Sequence, residues 1–251
     1  MLLAAIVLQA SAVAFSPPLD VPLRVASERR EDTRAYRLER QLRFVREGEG
    51  YRADVVLRAA TGDTPDSSGT LYEAGYAALI GTPIRLHLDR AGAVTAVDDL
   101  PALWERFCAR VAEVAAARRV LAPADRARLA ARIAMPLRAL PAERQRAMFA
   151  SLVSVAIADE DLTPGSRPVT LPASSAFGSA TPLDGTRTVT PLPGGLVRST
   201  TRAASATVTL ERVLDIDPGT GLVMRNSKTV TVRAGALEKA SVTLITVGPG
   251  D

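Results

Sequence analysis

One cysteine, one histidine and one tryptophan are all that this chain of 251 residues holds of three chemically informative types, and aromatic residues make up 4% of it. Each scarcity excludes something. Cys108 has no second thiol to pair with, so no internal disulfide can form and burial of a core must stabilise the fold. One His and one Cys cannot assemble a zinc centre, which takes about three or four nitrogen and sulfur ligands. A hydrolytic triad would need His87 beside a nucleophile, and no Gly-x-Ser-x-Gly elbow exists to present one. Few aromatics deny a nucleic acid its stacking platform. Lysine is nearly missing, at Lys228 and Lys239 only, so the net charge of +4 comes from arginine. Those arginines are spread among Asp and Glu, the densest groups being the pairs Arg29-Arg30 and Arg118-Arg119. No nucleic-acid partner is therefore expected. A phosphate loop is absent too, because Pro193-Gly194-Gly195 is not followed by Lys-Ser/Thr.

The chain opens on an apolar stretch, Met1 to Ala14, that ends in Ala12-Val13-Ala14 and gives way to the Pro-broken segment Phe15–Asp20. A short apolar core before a small-x-small site reads as a cleavable secretory signal, residues 1–14. It is too short to span a bilayer, which takes about 20 apolar residues. No Cys lies near residue 14, so acylation has no attachment point. The expected product is a periplasmic or secreted bacterial protein without a membrane anchor. Residues 15–251, at a composition of 47% apolar and 23% charged, suffice for a single α+β domain.

Three blocks follow one another. In the first, residues 20–98, Tyr36, Leu38, Leu42 and Phe44 sit at every second position, interrupted only by Arg40. After Gly48-Glu49-Gly50 the alternation resumes as Tyr51, Ala53, Val55 and Leu57, which predicts an antiparallel hairpin with one buried face. A polar loop over 61–69, a strand over Thr70–Ile80 and a second hairpin over 84–97 complete this block. In the second block, 99–160, the period changes. Leu100, Leu103, Trp104, Phe107, Val111 and Val114 trace one face of a helix behind an Asp99 cap. Pro123 and Pro136 bracket a shorter helix with Leu129 and Ile133. Pro141 starts a third, expected to be largely buried through Met148, Phe149, Leu152, Val153, Ala156 and Ile157. The third block, 165–247, is rich in Thr and Val and reads as strands again, with the Pro- and Ser-bearing stretch 164–182 as linker or long loop.

Candidate sites are few. His87, on the face opposite Ile84, Leu86 and Leu88, reads as an exposed strand residue. Asp215-Ile-Asp217-Pro-Gly-Thr-Gly221 has an acidic start, but Gly219 replaces the third carboxylate of a calcium loop and no bidentate Glu follows, so it reads as a turn. Asp98-Asp99 reads as a strand exit and a helix cap. No catalytic set, metal site or cofactor is expected.

An alternating sheet needs an apolar cover, and the helical block is the one available. The expected fold is α+β: a large curved antiparallel sheet, an incomplete barrel, packed on a central helical segment in the order β-α-β. The leader, the run Gly81–Asp89 with Gly92 and Val94, and the hairpin Asp217–Val223 resemble exported bacterial half-barrel proteins of the lipoprotein-carrier (LolA/LolB-like) superfamily, and related envelope domains of unknown function. That resemblance implies binding of lipid or lipidated peptide in the concave face without catalysis, and it transfers no functional residue. The function expected is non-enzymatic binding of an apolar or amphiphilic ligand. Tyr36, Leu38, Tyr51, Trp104, Phe107 and Phe149 are the side chains expected to line its groove, although the Trp104/Phe107 stripe also reads as plain core. The alternative is a cell-envelope interaction or assembly module with a protein partner and no small ligand.

Overall fold

Alternation is the rule that builds the sheet. In the computed structural model, which describes residues 14–31, 34–62, 75–117, 121–171, 182–234 and 237–250, Tyr51, Ala53, Val55 and Leu57 are buried while Arg52, Asp54 and Arg58 between them are not. Ile84, Leu86 and Leu88 on the neighbouring strand repeat the pattern. The strands are β1 (Pro22–Glu31), β2 (Arg34–Glu47), β3 (Gly50–Gly62), β4 (Pro83–Leu88) and β5 (Val94–Val97), then β6 (Gly165–Leu171), β7 (Leu183–Pro191), β8 (Val197–Ala204), β9 (Val208–Asp217), β10 (Leu222–Ala234) and β11 (Leu237–Pro249). They form one open antiparallel sheet of eleven strands in the order β5-β4-β3-β2-β1-β11-β10-β9-β8-β7-β6. Two meanders thus meet at their inner strands: β1, the first, pairs with β11, the last.

Between the outer strands β5 and β6 the chain runs through α1 (Leu100–Ala117), α2 (Pro123–Arg138) and α3 (Ala142–Ser154). The buried stripe of α1 is Leu103, Trp104, Phe107, Cys108, Val111, Ala112 and Ala116, the three- and four-residue spacing of one helix face. Leu103, Trp104, Phe107, Cys108 and Val111 join Phe149, Leu152 and Val153 of α3 and inward residues of β1 to β4 in one apolar cluster. Trp104 stacks on Phe107 at 5.2 Å between ring centres, and its Nε1 donates to the Leu137 carbonyl at 3.0 Å, which ties α2 to α1. No helix among the described residues is long and apolar enough to cross a membrane.

Several expectations need correction. The strand expected over Thr70–Ile80 is, in its described part, a helical turn at 75–77 and a single bridge from Ile80 to Leu57; residues 63–74 lie outside the described residues. Pro136 does not end its helix but lies inside the last turn. Only Phe149, Leu152 and Val153 of α3 are fully buried, and its first turn is exposed. Part of the stretch 164–182 is strand β6: Pro168 is tolerated there because an edge strand can spare an N–H. Asp99 stands at the N-cap position of α1, where its carbonyl accepts the first intrahelical bond from the Leu103 N–H, but with a left-handed φ of 50° in place of the usual extended one. The leader expected at 1–14 falls outside the described residues except for Ala14.

Candidate functional site

The residue that interrupts the β2 pattern is a buried cation next to the site. Arg40 occupies the same inward face of β2 as Tyr36, Leu38, Leu42 and Phe44, opposite Val25 of β1, and a bulge in β3 between Ala59 and Leu57 sets Leu57 across from it. Arg40 is 2% exposed. Its Nε donates to the Leu152 carbonyl at 2.7 Å and its Nη1 to Ser27 Oγ at 3.1 Å. Burial pulls its pKa down to about 10, which leaves it a cation at neutral pH. No carboxylate among the described residues forms an ion pair with it.

Above Arg40 the helices and sheet part. A cavity of about 560 Å³ lies between the inner side of β1 and β2 and the exposed half of α3. Tyr36, Leu38, Tyr76, Ala147 and Met148 supply its apolar lining, and Arg29, Arg37, Arg144 and Glu28 its charges. Tyr76 is anchored by donating to the Met148 carbonyl at 3.0 Å, and burial raises its phenol pKa. Of the six side chains expected to line a groove, Tyr36 and Leu38 border this cavity. Trp104, Phe107 and Phe149 are packed into the core beneath it. Tyr51 lies at the far end of β3, where Phe15 covers it edge-on at 5.2 Å and accepts its hydroxyl at 3.0 Å.

Strand register extends the site sideways. Residues directly opposite one another share a face, and one lateral row runs Tyr36, Arg29, Thr243, Lys228, Arg212, Thr201, Arg187, Arg167 across the helix side of the sheet. Five of the eight are cations. The segment after α3 brings acids to the outer ones. Glu160, 5% exposed, lies 3.2 Å from Arg187 and 3.3 Å from Arg212 and accepts the Ser199 hydroxyl at 2.5 Å. Asp161 pairs with Arg167 at 3.2 Å, and Glu31 with Arg29 at 2.9 Å. Lys228 has no acidic partner among the described residues. Burial of its ammonium, then the Arg212 and Arg29 guanidiniums, hold its pKa below the usual lysine value, although the residue as a whole stays solvent-exposed.

The remaining candidates are accounted for by local geometry. His87 bridges Glu47 (Nδ1 to Oε2, 2.5 Å) and Asp98 (Nε2 to Oδ1, 2.9 Å) on the outer face. Asp217 accepts from the Gly219 N–H at 2.9 Å and the Thr220 hydroxyl at 2.8 Å, the bonds of a turn, while Asp215 is held by both Nε and Nη2 of Arg198. Among the described residues no group of three or more His, Cys, Asp or Glu is placed to hold a metal. None of Tyr76, Met148, Arg29, Arg144 and Lys228 carries a local signal in the sequence that marks it as a site residue. No family profile, curated protein or solved structure matches the chain.

Proposed function

We propose that this protein binds an apolar or amphiphilic ligand between its sheet and its helices, as an exported, non-enzymatic protein of the bacterial periplasm or exterior. The observation that carries the reading is the cavity of about 560 Å³ floored by Leu38, Tyr36, Tyr76 and Met148. Its volume falls in the range of about 300–1,000 Å³ typical of small-molecule sites, and as an open cleft it sets five apolar or aromatic residues beside seven polar or charged ones, a mix that suits an amphiphile. An antiparallel sheet of eleven strands also twists and coils. In this reading it curves round the helices as an incomplete barrel, and the ligand occupies the part of the concave face that α3 leaves uncovered.

Lipid extraction of the protein purified from its native host, followed by mass spectrometry, tests the proposal. A reproducible bound amphiphile is expected. A protein that purifies empty and takes up no fatty chain added to it overturns the proposal. The second reading, an envelope assembly module, draws on β5 and β6 as the edge strands of the sheet among the described residues and on Leu237, 75% exposed at the β10–β11 hairpin. It predicts a specific partner in crosslinking and an empty cavity.

A further inference from the structure

The cation row and the cavity meet at one place, and the charges there are unbalanced. Arg29 and Thr243 belong to the row and also line the cavity. Lys228 is the next residue of the row after Thr243, two strand spacings or roughly 10 Å from Arg29. Arg144 faces the same cavity from α3. The one carboxylate in the lining, Glu28, is already taken by Arg30 at 2.6 Å and Arg37 at 3.4 Å. Glu31 engages one Nη of Arg29. Among the described residues, neither Lys228 nor Arg144 forms an ion pair. Cations gathered at one mouth repel each other, and an anion placed among them removes that cost.

We infer that the ligand of this cavity is a single-chain amphiphile with an anionic head, a carboxylate or a phosphate monoester. Arg144, Arg29 and Lys228 hold the head, and the chain lies along Leu38, Tyr36 and Met148. The inference rests on the proposal that the cavity takes an apolar or amphiphilic ligand, and adds the charge of its head. Thr243 stands between Arg29 and Lys228 and offers a hydroxyl to the same oxygens. Burial and the guanidiniums of Arg212 and Arg29 lower the Lys228 pKa, and a bound anion would favour its charged form.

The test titrates the delipidated full-length protein with oleate, with oleoyl lysophosphatidate and with monoolein, which has the same chain on a neutral head. An anionic chain is expected to bind at least about tenfold more tightly than monoolein, the worth of one charge-assisted hydrogen bond. Lys228→Gln and Arg144→Gln, which break no ion pair among the described residues, should each weaken the anion by about tenfold and monoolein by much less. Added salt should weaken the anion alone. The tighter of oleate and lysophosphatidate identifies the head as carboxylate or phosphate. Equal binding of all three, unaltered in the variants, overturns the anionic head while the apolar-ligand proposal stands. No binding of any chain overturns both.

Discussion

Arg40 of β2 and Leu152 of α3 are joined by a 2.7 Å hydrogen bond from Nε to the carbonyl oxygen, although 112 positions separate them in the chain. Leu152 lies in the last turn of α3, where carbonyls lack intrahelical donors and the helix dipole favours a positive charge. A buried cation without a carboxylate is thus matched to a helix end. Arg40→Met keeps most of the volume but leaves the Leu152 oxygen unpaired, which costs about 1–3 kcal/mol. A lower urea midpoint at unchanged slope is the expected result; an unchanged midpoint would refute this role.

Glu160 works the other way round, as a buried anion among cations. Its side chain is 3% exposed and shares Oε1 between Arg187 and Arg212. Glu160→Gln removes the charge and leaves the two guanidiniums and the rest of the row to repel each other, at a cost of about 3 kcal/mol. Ser199→Ala removes one hydrogen bond and should cost about 1 kcal/mol. Chemical denaturation of the two variants side by side checks the ranking.

His87 is the only histidine, so one imidazole signal reports its titration by NMR. The hydrogen bonds to Asp98 and then Glu47 favour the charged ring and raise its pKa above the ordinary value. A raised folded-state pKa means that the stabilisation is fully present below about pH 6.5 and is lost as pH rises through the folded value. The site is half-exposed, so the effect should stay under about 1 kcal/mol. Asp98→Asn should move the titration down towards the unperturbed value; no movement would sever the link.

Phe15 is 5% exposed and packs edge-on against Phe44 at 5.4 Å and Tyr51 at 5.2 Å. Phe15→Ala should cost about 3–5 kcal/mol. The same ring sets a limit on processing. Under the proposed export, cleavage after Ala14 would keep this ring and cleavage one residue later would remove it, so N-terminal sequencing of protein recovered outside the cytoplasm is expected to read Phe15 first. A start within the leader would refute the proposed cleavage.

Cys108 lies wholly within the core, where burial pushes its thiol up to about 11. The thiolate is the reactive form. Native protein should resist a thiol reagent at pH 8 for as long as it stays folded and react promptly in denaturant. Fast labelling of the native state would mean that α1 opens readily.

What was legible in the sequence is what depends on near neighbours. The β2–β3 hairpin follows from alternation over Tyr36–Leu57, and α1 from the spacing of Leu103, Trp104, Phe107 and Val111. Arg40 shows the limit. It broke the apolar pattern, yet it stands at an inward position, and only the Leu152 carbonyl, distant in sequence, explains how a cation survives there. The stretch that holds β6 reads as linker or long loop because Pro168 and its Ser neighbours argue against a central strand, and nothing local distinguishes an edge. The cation row is the extreme case. Arg29, Arg167, Arg187, Arg212 and Lys228 are scattered over some two hundred positions and become neighbours through strand register alone. Tyr76 and Arg144, likewise, line one cavity only because α3 folds back over β1 and β2.

The pairing of β1 with β11 has a consequence for synthesis. Nine register pairs, Leu23–Pro249 to Glu31–Ser241, join the earliest strand to the final one at the middle of the sheet. While the ribosome still holds the C-terminal segment, the two meanders have no seam between them, and β1 presents a long row of bare amides and carbonyls. The sheet therefore cannot close into one piece until β11 has left the ribosome and reached the bare edge of β1.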